Sequence, residues 1–257
     1  CLTVGYQHTA VFRESLALLA PAGEGKRVRT VPDVVLGLGE RTLDLMRAGH
    51  ARHRTRLLRF GSFRFQPRAA LGPAPVSRRT VLVTPEGIAS EMQILFTFAH
   101  ACARRLPSYT FVLRCHPEVP MAKALRLVDA DLTCEPNIVL SEGRRIEEDF
   151  ARASVLLYRG SSAVLYAILA GLLPVYVPVE GVRDRDPLFA LGAWRERGAT
   201  PDDVAGVLER HEQVPADRVA EAWGAAARYV HAYTGPVGQE EVDALLASAG
   251  LSAAGSN

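Results

Sequence analysis

Lysine is almost missing from this sequence: of 30 basic residues only Lys26 and Lys123 are lysines, and the rest are arginines. With 28 acidic residues the formal net charge is +2. That is too small to demand nucleic acid or an acidic membrane as a partner. Arginine forks onto phosphate, so the bias fits anion recognition, although a compositional habit of the source genome explains it more simply. Cysteine is scarce too. Cys1, Cys102, Cys115 and Cys134 show neither CxxC nor the Cys/His spacing of a metal site, so free thiols in a reducing compartment are expected and no metal is. HExxH, GxSxG and Walker loops are absent. Gly37-Leu38-Gly39 lacks the rest of a GxGxxG fingerprint, which argues against a nicotinamide cofactor. The longest apolar run, Ala163 to Val179, is broken by Gly171, Pro174 and Pro178. A membrane span needs about 20 unbroken apolar residues, so this run reads as a buried helix turning into a buried strand. No signal-like segment precedes the first strand. The first residue is Cys1 rather than Met, and the chain is expected to be a fragment whose start is lost.

What is present is an alternation of apolar runs and helical patterns. Its 257 residues allow one large domain, or one domain plus part of another. Short strands are predicted near Leu2–Gly5, Asp33–Gly37 and Arg56–Phe60, with a helix from Glu40 to Ala48, as the tail of one domain (1–63). Residues 64–79 hold three prolines, a glycine and several arginines and read as an interdomain linker. A fresh unit (80–232) then starts: strands at 80–84, 111–114, 137–140, 154–158 and 173–177, separated by helices, the longest from Ile88 to Arg105. Alternation at this pace indicates a doubly wound parallel α/β sheet, Rossmann-like and covered on both faces. Its strands are continuous apolar runs, as buried parallel strands are. Helices are predicted at 202–212, 216–233 and 240–249, and a C-terminal helix and tail make up 233–257.

Two short motifs lie where such a sheet binds ligands, past the carboxyl ends of strands. Leu113-Arg114-Cys115-His116-Pro117 closes one strand; Pro117 biases the residues before it to extended geometry, so His116 projects from the strand end and can donate to a phosphate oxygen. Arg159-Gly160-Ser161-Ser162 opens a helix, where Gly160 lets a ligand approach the backbone and Ser161 and Ser162 add hydroxyls. A structural cap explains one serine well and two less well. Together the motifs suit a monophosphate or diphosphate. Thr84-Pro85-Glu86-Gly87, at the first strand-to-helix turn, supplies Glu86 and Gly87 for a ribose or sugar hydroxyl and for close approach. Glu180, after the last clear strand, can reach a ribose or sugar hydroxyl as well. Gly5-Tyr6-Gln7-His8-Thr9 places His8 past a strand of the first domain, where it suits acceptor contact or general acid/base work. The segments 5–9, 84–87, 113–117 and 159–162 each also have an ordinary reading as a turn or cap. Asp184-Arg185-Asp186 and Asp129-Ala130-Asp131 fit DxD but follow no clear strand end. They read as solvated charges, as does Glu147-Glu148-Asp149 on a helix face.

At these residues the chain resembles the GT-B glycosyltransferases, and more narrowly the bacterial surface- and capsule-polysaccharide transferases with an HP motif and a paired-serine motif. The matching residues are His116-Pro117 and Ser161-Ser162; in the related sialyl- and polysialyltransferases such motifs hold the phosphate and ribose of a CMP-sugar, and the resemblance is to the sialyl- and Kdo-transferase-like type. Gly5-Tyr6-Gln7-His8 resembles the strand end closing their N-terminal domain, and Gly61-Ser62-Phe63-Arg64-Phe65 their interdomain crossover. Two departures stand out. Tyr166 occupies the place where many GT-B enzymes carry a Glu, and the acidic base of the sialyl families lies in a domain mostly absent here. The resemblance implies sugar transfer from a nucleotide-sugar donor, CMP-linked acidic sugars favoured, to a polysaccharide, lipopolysaccharide or lipid-linked glycan acceptor. It implies no cofactor beyond the co-substrate, no required divalent metal, and no nucleic-acid partner. It also implies a cytoplasmic location, with peripheral association at the inner membrane through a part outside this chain. A CDP-alditol phosphotransferase of teichoic-acid type, a sugar-nucleotide 2-epimerase and a binding subunit without turnover remain as alternatives.

Overall fold

The structure is a computed structural model that describes residues 2–12, 32–50, 55–65, 72–143 and 145–251. The chain divides into two compact units, residues 1–69 with 228–257, and residues 70–227. Most of the segment read as a linker before residue 72, and the C-terminal tail, lie outside the described residues.

The first unit carries a three-stranded parallel sheet in chain order, β1 (Val4–Tyr6), β2 (Val34–Gly37) and β3 (Arg56–Arg59), with α1 (Glu40–His50) between β2 and β3. One face of the sheet buries Val35 against Val11, Leu43 and Met46; the other buries Val34, Leu36 and Phe60. The strands are a few residues long, so the loops after them are pinned by side chains. Gln7 is buried and holds two turns at once: its amide nitrogen donates to Thr9 O at 2.9 Å and its oxygen accepts from Leu38 N at 3.3 Å. Gly61 has φ +95°, and a Cβ there would lie 2.5 Å from Pro236 O.

The second unit opens with residues 72–79, part of the segment read as a linker, docked on its surface: Ala74 N donates to Gly171 O at 2.9 Å. Then follow β4 (Thr80–Pro85), α2 (Ala89–Arg105), β5 (Thr110–Leu113), α3 (Met121–Leu125), β6 (Ile138–Leu140), α4 (Ile146–Arg152), β7 (Val155–Arg159), α5 (Ala163–Leu169), β8 (Leu173–Tyr176), β9 (Glu196–Arg197), α6 (Pro201–Gln213) and α7 (Ala216–Tyr233). All pairings are parallel and the strand order is β6-β5-β4-β7-β8-β9. The central strands are buried along their lengths, as continuous apolar runs require. α2 packs Met92, Leu95, Phe96, Ala99 and Cys102 inward at helical spacing. α6 starts where the sequence dictates. Thr200 and Asp203 form a reciprocal capping box and Pro201 sits in the first turn.

The C-terminal part of α7 belongs to the first unit by its contacts, as does α8 (Gln239–Ser248). There Tyr233 O–H donates to Val11 O at 2.8 Å, and α8 lies along β3 with Arg59 paired to Glu241. The parallel α/β fold expected from the sequence is therefore present in both units. Two-residue β9 is the strand the sequence reading did not include. Among the described residues no helix is long and apolar enough to cross a membrane.

Candidate functional site at the strand-order reversal

Numbered within the second unit, its strands run 3-2-1-4-5-6, and the order reverses between β4 and β7. The chain leaves these neighbours in opposite directions, so a crevice opens past their carboxyl ends, the ligand position of doubly wound sheets. Pro85 pairs with Arg159 at the last register position, so the turns Glu86-Gly87 and Gly160-Ser161 flank that crevice.

Four sequence-predicted residues meet at these turns in two pairs, Gly87 with His116 and Gly160 with Glu86. Gly87 lies beneath the His116 ring: a Cβ on Gly87 would stand 3.0 Å from its Cγ. Gly160 has φ +72°, a left-handed value that costs any other residue, and a Cβ there would stand 2.7 Å from Glu86 Oε2. His116 is half-buried, and its Nδ1 accepts a long 3.4 Å hydrogen bond from Glu118 N. That bond selects the tautomer protonated on Nε2, leaving Nε2–H as a donor. The neighbouring Cys115 thiol is pushed up to about 11 by burial, so it is no nucleophile at neutral pH.

The serine pair splits in role. Ser161 Oγ accepts from Ala163 N at 3.3 Å, so it caps α5, while the Ser162 side chain is exposed at the start of that seven-residue helix. Pro117 is exposed just past His116. Glu180 is exposed in the loop after β8 with no hydrogen bond to a described residue. His8 is exposed past β1 and belongs to the first unit.

Arg159 is not the anion-facing residue its place beside Gly160 suggests. It is fully buried, with Nε 2.6 Å from Glu91 Oε2 on α2. That contact is ionic and not a well-aligned hydrogen bond. Nη1 donates to Tyr176 Oη at 3.2 Å and Val177 O at 3.0 Å, and Nη2 to Arg183 O at 2.9 Å. The side chain therefore clamps the loop after β8 from below.

Of the acidic groups read as solvated, Asp129, Asp131 and Glu148 are exposed, whereas Asp149, Asp184 and Asp186 are paired in the structure. Asp186 is buried and accepts from Tyr158 Oη at 2.6 Å, Leu188 N at 2.8 Å and Arg195 Nε at 2.7 Å. Burial, then Asp186, raise the Tyr158 pKa far above its ordinary value, so Tyr158 stays a donor. Asp184 is bound by both Nη atoms of Arg197 at 3.1 Å; burial pushes its pKa up, but the Arg197 and backbone bonds outweigh that and hold it low. Asp149 is buried between Arg114, at 2.6 Å, and Arg152, at 2.5 Å. Asp131 caps the short turn Leu132–Cys134 by accepting from Thr133 N at 2.9 Å. Buried carboxylates persist only when paired in this way. Among the described residues no cluster of His, Cys, Asp and Glu could hold a metal ion.

One site residue was missed from sequence. Arg185, between the two aspartates, places Nη1 2.7 Å from Glu86 Oε2 across the crevice. The DxD pattern around it drew attention to its neighbours.

No protein-family model matches the sequence, and no curated protein matches it. Solved structures do. A glycotransferase of kitacinnamycin aligns at 19% identity and TM-score 0.55, over 84% of this chain and 55% of its own. CalG4, the calicheamicin glycosyltransferase, aligns at 18% and 0.50, over 86% and 53%. A TarM variant from S. aureus, solved with fondaparinux, alpha-GlcNAc-glycerol and UDP, aligns at 13% and 0.51, over 84% and 44%. The fold is shared with glycosyltransferases. At these identities the likeness is one of fold, and the chain spans about half the length of the structures it matches.

Proposed function

We infer that this chain is the nucleotide-sugar-binding part of a GT-B glycosyltransferase, moving a sugar from a nucleotide donor to a glycan hydroxyl. The observation that carries this is that Gly87 lies against His116 and Gly160 against Glu86, in the two turns at the strand-order reversal of the second unit. Two glycines there keep side chains away from the backbone, and the His116 ring above Gly87 offers an Nε2–H donor. The likeness of fold to three glycosyltransferase structures supports the same reading.

The donor phosphate takes hydrogen bonds from His116 Nε2–H, the Ser162 hydroxyl and backbone N–H groups after Gly160. Pro117 holds His116 at the strand end, and Ser161 shapes the turn. As the bond from sugar carbon to phosphate oxygen breaks, negative charge grows on the phosphate, and donors already in place stabilise it without rearrangement. Such donors are worth about 3–4 kcal/mol each in measured cases. The ribose lies toward Glu86 and Glu180. These residues suffice for the leaving group without a metal. His8, in the first unit, serves the acceptor. The HP and paired-serine motifs favour a CMP-linked acidic sugar and a surface polysaccharide acceptor at the cytoplasmic face of the inner membrane, whereas the TarM structure holds UDP.

Calorimetric titration with CMP, CDP, UDP and GDP tests the reading. Selective CMP binding, lost in both His116→Ala and Ser161→Ala/Ser162→Ala, is the expected result. Preference for CDP moves the assignment to an alditol phosphotransferase, and for UDP to a hexosyltransferase. A folded chain that binds none of the four refutes the nucleotide site.

A further inference from the structure

Arg185 and Glu86 bring opposite charges together over the site from two different elements, and the pair is only about one-third exposed, at 31% and 30%. Arg185 is anchored through its backbone. Its N–H donates to Tyr176 Oη at 3.0 Å, Arg183 O before it accepts from the buried Arg159, and Asp186 after it is held by Tyr158, Leu188 N and Arg195. The peptide is therefore fixed while the guanidinium reaches out over the crevice, where its hydrogen-bond partner is Glu86. Glu86 Oε2 is also the atom nearest to where a Gly160 Cβ would stand, at 2.7 Å. One carboxylate oxygen thus lies directly over the glycine turn and against a guanidinium. That is an anion held where the site's backbone has been cleared of side chains.

We propose that Arg185 binds the donor phosphate, and that the Glu86 carboxylate takes the phosphate's place on Arg185 until the nucleotide displaces it. This rests on the nucleotide-sugar reading above and adds to it a residue and an exchange. Guanidinium suits the task because its planar fork matches phosphate oxygens. A partly exposed ion pair contributes little to stability, so a phosphate with more charge and more acceptors can outcompete the carboxylate. Once released, Glu86 turns toward the ribose hydroxyls as an acceptor.

The test is calorimetry on the whole chain with inorganic pyrophosphate, CMP and UDP, comparing wild type with Arg185→Ala, Arg185→Lys and Glu86→Gln. Arg185→Ala weakens pyrophosphate and the preferred nucleotide by about tenfold or more, because a charge-assisted contact is lost. Arg185→Lys falls between, since it keeps the charge and loses the fork. Glu86→Gln tightens pyrophosphate, because the competing anion is gone. Melting temperatures of the variants stay near that of wild type, which shows that each is folded. If wild type binds nucleotide and Arg185→Ala binds it equally well, the inference is overturned and the nucleotide-sugar reading stands. Weaker pyrophosphate binding in Glu86→Gln overturns the exchange. If wild type binds none of the three probes, the reading falls and the inference falls with it.

Discussion

Glu91→Leu isolates the buried charge on which the loop after β8 depends. Arg159 is 0% exposed and Glu91 4%, and no other carboxylate among the described residues pairs with that guanidinium. Removing Glu91 leaves a cation in the core of the second unit with neutral acceptors only: Tyr176 Oη, Val177 O and Arg183 O. Breaking a buried pair from one side costs about 3–5 kcal/mol. At roughly 2–4 °C per kcal/mol for a domain of this size, the melting temperature falls by roughly 6–20 °C. The double variant Glu91→Leu/Arg159→Met removes both charges and fills the space with apolar groups. Such replacements are neutral or stabilising by about 1–4 kcal/mol elsewhere, so most of the lost stability returns. The loop does not recover with it: Arg183 O has lost its tie, Arg185 is less well held, and nucleotide affinity stays below wild type. Differential scanning calorimetry with a nucleotide titration on wild type and the two variants measures both effects. A Glu91→Leu protein melting within about 2 °C of wild type would show that the carbonyl acceptors alone satisfy Arg159, which refutes the reasoning.

Gly160→Ala combines a left-handed φ of +72° with a Cβ 2.7 Å from Glu86 Oε2; it costs about 1–2 kcal/mol in denaturant unfolding and abolishes nucleotide binding, and an unchanged affinity would move the phosphate away from this turn. Gly87→Ala has no such backbone penalty, but its Cβ meets the His116 ring at 3.0 Å; the ring shifts, His116 proton resonances move, and nucleotide affinity falls with little change in stability. His211 packs against Trp194 with ring centroids 5.3 Å apart, and burial lowers its pKa below the ordinary 6.5, with Glu212 opposing. A depressed folded pKa gives stability that is complete above the unfolded pKa and lost as pH falls through the folded one. Urea unfolding therefore shows a midpoint that declines below about pH 6.5, and His211→Phe flattens that decline; an identical slope in the variant would assign the decline to other groups.

How much of this was legible in the sequence depended on how local each signal is. Val81-Leu82-Val83, Phe111-Val112-Leu113 and Val155-Leu156-Leu157 announce buried strands because each is an apolar run bounded by polar residues. Alternation with helices then gives the parallel fold. Strand order is a different matter. Placing β4 beside β7 depends on packing between segments about seventy residues apart, and no local pattern encodes it. The two-residue β9, Glu196–Arg197, offers no apolar run and exists only because Tyr176 and Val175 present a free edge to it.

Charged residues were misread for the same reason, and in a consistent direction. Asp149, Asp186 and Arg159 look solvated or ligand-facing because their partners are far away in sequence. Asp149 finds Arg114 just past β5, and Arg159 finds Glu91 on α2. Each pairing takes a charge out of contention for substrate, and the pairings around one loop decide what is left. Asp184 is taken by Arg197, and Asp186 by Tyr158, Leu188 N and Arg195. Between them, among the described residues, Arg185 has no carboxylate partner except Glu86, across the crevice. Its availability is thus a consequence of its neighbours being fully committed. A linear motif search scores the two aspartates and passes over the arginine, whereas the chemistry of anion binding selects the arginine and assigns the aspartates to holding it still.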